Sequence, residues 1–195
     1  MDSAKLKIKV ILGSIREGRL GDKVAKNAMD ILMTRDDAEF ELLDLIDFPM
    51  PLFNLATPPS MMDKPYEDEI IAKWQQKIEE ADGYIFITAE YNRGIPSSLK
   101  NAIDYLYKEW GRKPMAVISY GNIAGGTRAT EQLRTMSIEL QMAPIRYGVH
   151  IPFIWEKFDD QGVITDTHFG PALKEQAEQL IWWTRALKAE RTKVD

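Results

Sequence analysis

The densest chemistry in the chain lies in one stretch, Gly13-Ser14-Ile15-Arg16-Glu17-Gly18-Arg19-Leu20-Gly21. It follows the apolar run Ile8-Lys9-Val10-Ile11-Leu12 and opens onto a helical pattern. A strand that ends in a Gly/Ser/Arg turn and then starts a helix makes an anion site. The loop amides and the helix N-terminus converge on one spot, where the helix dipole favours negative charge. Two arginines in the same turn add planar forks suited to phosphate oxygens. Residue identity narrows the kind of loop. Gly13 and Gly18 have the spacing of a P-loop, but Arg19-Leu20 stands where Lys-Ser/Thr is needed, so the magnesium ligand is missing. Ser14-Ile15 breaks the three-glycine dinucleotide fingerprint. What remains is a loop that grips a terminal phosphate without metal, through Ser14, Arg16, Arg19 and backbone amides. The plain alternative is a βα turn with solvated arginines.

Bulk properties bound the partners. The 195 residues suffice for one domain with a full core, and no repeat, linker or low-complexity tract divides residues 1–195. A net charge of -5 argues against nucleic acid held by a general basic surface. The absence of cysteine excludes disulfides, thiolate metal sites and a cysteine nucleophile. The two histidines, His150 and His168, are far apart in sequence, which speaks against a histidine-rich metal site. No apolar run approaches the ~20 residues that span a bilayer, and the N-terminus lacks a signal-peptide pattern. A soluble, cytoplasmic protein is expected.

The elements that must position the loop follow from periodicity. Strands are expected at 6–12, 40–46, 84–88, 114–120 and 144–154, the last interrupted by Pro152. Helices are expected after residue 21 with Val24, Ala28, Ile31 and Leu32 inward, over 67–80, and from Pro96 with Leu99, Ala102, Ile103 and Leu106 inward. Two more are expected over 127–140 and 171–191. Residues 48–59 carry Pro49, Pro51, Pro58 and Pro59 and read as an apolar loop packed beside the site or against a partner subunit. Strands alternating with helices predict an α/β fold, a doubly wound five-stranded parallel sheet with helices on both faces. Ligands of such sheets bind outside the carboxyl ends of the strands at the topological switch. In the flavodoxin-like order 2-1-3-4-5, the loops after strands one, three and four meet there. These are the loops rich in Gly, Asn, Arg and Tyr.

With those loops assembled, the chain resembles the NAD(P)H-dependent FMN reductases of the flavodoxin-like class, which include quinone, azo-dye and chromate reductases. Gly13 to Leu20 resembles their FMN-phosphate loop. Ala89-Glu90-Tyr91-Asn92 with Ile95-Pro96-Ser97-Ser98-Leu99-Lys100-Asn101-Ala102-Ile103-Asp104-Tyr105 resembles their Pro-Glu-Tyr-Asn loop and its Leu-Lys-Asn-Ala helix. Ser119-Tyr120-Gly121 to Gly126 resembles the glycine loop at the flavin's pyrimidine edge, and Asp44-Leu45 to Asn54 fits the exit of strand two. The resemblance implies that FMN is the cofactor and NADPH or NADH the donor. It implies that Gly13, Ser14, Arg16, Gly18, Arg19, Leu20 and Gly21 hold the phosphate, and that Ala89, Glu90, Tyr91 and Asn92 lie along the isoalloxazine. Ser119 and Gly121 would then lie at its other edge. Two departures stand out: Ala89 replaces a usual proline, and Arg19 replaces a usual serine or threonine, so that its side chain either binds the phosphate or points away. No metal and no acid, base or nucleophile is called for, because the cofactor carries the chemistry.

The implied activity is two-electron reduction of a quinone-like or other small aromatic or metal-ion acceptor. A flavodoxin-like electron carrier is the alternative, although the arginine-bearing loop fits it poorly; a Rossmann-type regulator lacks its third glycine. A homodimer or homotetramer is expected, with Trp182, Tyr105, Tyr107 and Trp110 as the aromatic surface that joins subunits.

Overall fold

Apolar strands alternate with one-faced helices, and the chain resolves this pattern as a parallel sheet buried on both sides. A computed structural model of the protein describes residues 5–62 and 66–193; residues 1–4, where no signal pattern is expected, lie outside them. The strands are β1 (Leu6–Leu12), β2 (Ala38–Asp44), β3 (Gly83–Ala89), β4 (Pro114–Tyr120), β5 (Ala143–Pro144) and β6 (Val149–Ile151). The helices are α1 (Gly21–Leu32), α2 (Glu69–Glu79), α3 (Ser97–Asp104), α4 (Thr127–Glu139) and α5 (Phe169–Arg191). All pairings are parallel, in the order β2-β1-β3-β4-β5, with β6 also on β4.

Two cores flank this sheet because strand side chains alternate between faces. Ile8, Val10, Leu12, Ile85, Ile87 and Ile118 pack with α1 and α5, and Ile11, Tyr84, Phe86 and Val117 pack with α2, α3 and α4. β3 and β4 are buried at every position, as strands covered on both faces must be. On the second face Trp110 stacks edge-on to Tyr84 at 5.0 Å, and the Trp74 indole N–H donates to the Ala102 carbonyl at 2.9 Å. Buried Lys113 donates to the carbonyls of Ile78 and Glu79 at 2.8 and 2.9 Å, satisfying the open end of α2. Burial pushes its amine down to about 7.

Several boundaries differ from expectation for local reasons. β2 stops at Asp44 because the Asp44 carboxylate accepts from the Ile46 amide and starts a single 3-10 turn, Leu45–Asp47. α2 begins at Glu69 because Asp68 caps it, accepting from the amides of Ile70 and Ile71. Pro96 is the residue before α3 rather than within its first turn. The fifth strand is two fragments: the amides of Ala143 and Ile145 bond the carbonyls of Lys113 and Met115 at 2.9 Å, the carbonyls of Arg146 and Tyr147 are then taken by the side chains of Arg134 and Gln176, and the chain rejoins β4 only at Val149. Tyr105 and Trp110 are 1% and 0% exposed, so they fill the core and join no subunits. α3 ends at Asp104, and the chain folds Trp110 back under Trp74 on a 3-10 turn, Lys108–Trp110. Trp182 does lie outward, 63% exposed beside Trp183. Among the described residues no helix is long and apolar enough to cross a membrane.

Candidate functional site

β1, β3 and β4 are neighbours, and their register brings the loops that follow them to one edge of the sheet. The first loop leaves β1 at Gly13, whose amide bonds the Ile87 carbonyl of β3 at 2.9 Å. A Cβ on Gly13 would lie 2.8 Å from Leu99, and the Ser98 hydroxyl donates to the Gly13 carbonyl at 2.6 Å. The N-terminus of α3 thus closes directly under the loop. Gly21 is equally constrained, since a Cβ there would meet the Tyr120 hydroxyl at 2.5 Å.

The two arginines of the loop part company. Arg19 is 9% exposed. Its guanidinium donates to Asp44 Oδ1 at 2.8 Å, forks onto Asp44 Oδ2, donates through Nε to Asp22 at 2.7 Å, and bonds the Ser14 carbonyl. Burial opposes its charge, but the bonds to Asp44 and Asp22 outweigh that and hold its pKa above the ordinary value. Arg16 is exposed and, among the described residues, has no side-chain partner. The amides of Ile15, Glu17, Gly18 and Leu20 also meet no acceptor among the described residues, and α1 begins without a side-chain cap. Gly18 takes φ +65° with open space around it, a conformation that glycine adopts without cost. Unpartnered donors at a helix start, with a free guanidinium above them, suit an anion such as a terminal phosphate. The orphaned, buried Tyr120 hydroxyl lies beneath the same loop, its pKa raised by burial.

The second loop contributes a tight turn. The amide of Tyr91 bonds the Gly94 carbonyl at 2.9 Å and that of Gly94 returns to Tyr91 at 3.0 Å. Asn92 and Arg93 between them take φ +49° and +68°, the pair of positive angles a type I′ turn requires. Asparagine tolerates this region well and arginine poorly. The Tyr91 hydroxyl reaches back to Ser14 Oγ at 2.7 Å, joining this loop to the first. The Glu90 carboxylate accepts from the Arg128 amide at 3.0 Å and from its guanidinium at 2.8 Å, joining it to the start of α4. Ala89 ends β3, pairs with Tyr120 and is buried.

The third loop, residues 121–126, turns through Gly125 and Gly126 at φ +57° and +84°. Ser119 is 0% exposed beneath it, its hydroxyl bonded to the Gly125 carbonyl. Gly121 sits at the loop's start, its amide on the Ile151 carbonyl at 3.2 Å. The proline-bearing segment packs down as expected, onto α3: Asn101 donates to the Pro51 carbonyl and accepts from the Phe53 amide, both at 2.8 Å. A cavity of ≈ 150 Å³ between this segment, Ile15 and Ser98 borders the first loop.

All thirteen site residues of the sequence reading therefore lie on these loops or the strand ends feeding them, from Gly13 to Gly21, Ala89 to Asn92, and Ser119 with Gly121. The roles divide, however. Ser14, Arg19 and Ser119 use their side chains to fix the loops, whereas Arg16 and the amides face outward. Arg128, Ser98 and His150 support the site without having been singled out. Only Arg128 had a signal, as a cation in the first turn after Gly125-Gly126 facing an acidic loop. The Arg19→Leu variant tests the division. Losing the fork to half-exposed Asp44 should cost about 1–3 kcal/mol, read as a lower denaturant midpoint at unchanged m-value. Arg19→Lys should recover only part, lacking the planar fork; a wild-type midpoint for Arg19→Leu would remove the guanidinium from this role.

The comparisons agree with this geometry. The model of the NADPH-dependent FMN reductase family matches residues 6–156. An NAD(P)H-dependent FMN reductase of Nectria sp. is 44% identical over 152 residues, covering 75% of each chain. An NAD(P)H:quinone oxidoreductase of Solanum tuberosum is 30% identical over 168 residues, covering 83% of this chain and 84% of its own. The solved structure of FerB, a flavoenzyme NAD(P)H:(acceptor) oxidoreductase from Paracoccus denitrificans, superposes with TM-score 0.73 at 26% identity, covering 93% of this chain and 98% of its own. With a sheet in the flavodoxin order and these relatives, the chain belongs to the NADPH-dependent FMN reductase family.

Proposed function

We propose that the protein binds FMN across the three loops and uses NADPH or NADH to reduce quinones or other small aromatic or metal-ion acceptors by two electrons. The observation that carries this reading is the first loop: amides and an Arg16 side chain without partners among the described residues, and an uncapped α1, gathered at the switch point of the sheet. FMN bound there would take a hydride from the nicotinamide and pass both electrons on.

The chain's own residues would bind and orient. Arg16 and the amides of Ile15, Glu17, Gly18 and Leu20 would hold the phosphate, with Arg19 turned inward to shape their path. Gly13 and Gly21 keep the backbone close to α3 and β4, where any larger residue would clash. Glu90, fixed by Arg128, and Tyr91, fixed by Ser14, would give the ring a stiff backing on one side. Gly121 would line its other edge. A reducing compartment that supplies NAD(P)H, such as the cytoplasm, suits this activity.

Fluorescence titration of the apoprotein with FMN tests the assignment directly. Arg16→Ala should weaken affinity about ten- to a hundredfold, the worth of a charge-assisted bond, with the melting temperature unchanged. An unchanged dissociation constant would move the phosphate elsewhere, and a wild-type chain that refuses FMN would overturn the function itself.

With one side of the ring backed by residues 90–92, a single face is left for both substrates. Nicotinamide and acceptor must then alternate, and steady-state rates with NADPH and a benzoquinone should give parallel double-reciprocal lines. Intersecting lines, or a radical signal accumulating in turnover, would favour a one-electron carrier.

We further infer a homodimer or homotetramer. Trp182 and Trp183 stack edge-on, at 63% and 42% exposure, on the outer side of α5, and Leu52 near the first loop is 77% exposed. Large aromatics of this kind are enriched at subunit contacts. Light scattering at micromolar concentration should return at least twice the chain mass of 22.3 kDa; a monomer there ends this inference.

A further inference from the structure

Ser119 joins the glycine loop to a residue that none of the three loops contains. Its oxygen lies 2.7 Å from the Gly125 carbonyl and 2.7 Å from His150 Nδ1 on β6. A hydroxyl has one proton to give. The Gly125 carbonyl can only accept, so the Ser119 proton goes there, and the Ser119 oxygen must accept from His150. His150 therefore carries its proton on Nδ1. The reverse tautomer would draw the Ser119 proton toward the imidazole and leave the Gly125 carbonyl without its partner.

That carbonyl belongs to a turn with little freedom. A Cβ on Gly126 would lie 2.7 Å from Ser119 Cβ, and one on Gly125 would lie 3.1–3.2 Å from the backbone of Ile151 and Pro152. The Gly121 amide bonds Ile151, and the Ile154 amide returns to Gly121, both at 3.2 Å. Backbone bonds hold the start of the loop against β6, and at its Gly-Gly end the Gly125 amide bonds Asn122 at 2.8 Å and the Thr130 amide bonds Gly126 at 3.1 Å, while the Gly125 carbonyl is held by the Ser119 hydroxyl.

We propose that His150 is a positioning residue for the flavin loop: through Ser119 it fixes the Gly125 carbonyl and with it the path of residues 121–126. The proposal rests on the FMN reading above. Among the described residues the hydrogen bond of the His150 ring is to the Ser119 hydroxyl, through which it acts. Its ring also borders a cavity of ≈ 240 Å³ lined by Val149, Asp166, His168 and Phe169, so a shorter side chain extends an existing space instead of opening a new one.

The experiment is FMN titration of the full-length apoprotein for wild type, H150A, H150N, S119A and the S119A/H150A double variant, with a ¹⁵N spectrum of the histidines. His150 should appear as the Nδ1–H tautomer. H150A should bind FMN about three- to tenfold more weakly, the scale of one lost hydrogen bond. H150N should stay within about twofold, because the asparagine amide offers an N–H at the same branch point. In the S119A background H150A should add nothing, since the link is already cut. An Nε2–H tautomer, equal losses in H150A and H150N, or an undiminished H150A effect without Ser119 would each overturn the role. Wild-type-like affinity in every variant would overturn it while leaving the FMN reading standing; failure of the wild type to bind FMN would remove both.

Discussion

A buried guanidinium at the switch point of the sheet sets the shape of the site. Arg19 leaves water to sit among the Ser14 carbonyl, Asp22 and Asp44. At its 2.8 Å contact with Asp44 the attraction is roughly 6 kcal/mol for an effective dielectric near 20. Removing a cation from water costs several kcal/mol, so the pair comes close to cancelling in energy. Its value is directional. A planar fork that satisfies one carbonyl and two carboxylates ties residues 14–19 to Asp22 and Asp44, on a path where the amides of Arg16 and Arg19 bond within the loop and those of Ile15, Glu17 and Gly18 meet no acceptor among the described residues.

Anion binding as proposed for the first loop would owe little to the overall field. The molecule is acidic, with a net charge of -5, and Arg19 is neutralised by Asp44 and Asp22. What would attract a phosphate is local: the amides, the start of α1 and Arg16. Such donors act over a few ångströms and cost no reorganisation when the ligand arrives. Had Arg19 faced outward, Asp44 would have been left at the same edge as an uncompensated negative charge, working against the ligand. The inward arginine removes that repulsion and rigidifies the loop in one arrangement.

The strands, the helix faces and the loops were legible in the sequence because each depends on residues close in the chain, and the flavodoxin-like order then brought three of the loops together. Alternation marks β3, a buried stripe marks α1, and glycines mark the turns. What was not legible are the links that cross between elements. Arg19 and Asp44 are 25 residues apart, Ser119 and His150 are 31 apart, and Ser14 and Tyr91 are 77 apart. Any of these polar side chains has many acceptable partners, and only the folded register selects one. The misread aromatics have a related cause. Tyr105 falls off the Leu99/Ile103/Leu106 stripe, yet Phe53 and Tyr66 from a distant segment cover its ring; Trp110 lies beyond the end of α3 and is buried against Trp74 and Tyr84. The fifth strand differs for another reason: the carbonyls of Arg146 and Tyr147 are taken by the side chains of Arg134 and Gln176, partners that the apolar pattern does not reveal.

Three cross-links tie the loops into one frame, and they are not equivalent. Ser14 to Tyr91 is a neutral bond with its serine fully buried, and Ser119 to His150 is another, at the base of the third loop. Glu90 to Arg128 is ionic, and its arginine is 43% exposed. Salt weakens exposed ion pairs and leaves buried neutral bonds alone. The Ser14–Tyr91 and Ser119–His150 links are therefore independent of ionic strength, while the anchoring of the second loop to α4, and the contact of Arg19 with exposed Asp22, are sensitive to it. Strain lies in that same loop, at Asn92 and Arg93, where two consecutive side-chain-bearing residues occupy left-handed backbone. A strained turn held by its own pair of backbone bonds, tied to a neutral anchor on one side and an ionic one on the other, keeps its left-handed backbone only because these bonds fix it from three directions. On the proposed reading both ends of the cradle are therefore preorganised, the first loop by the buried Arg19 and the second by this tethered turn.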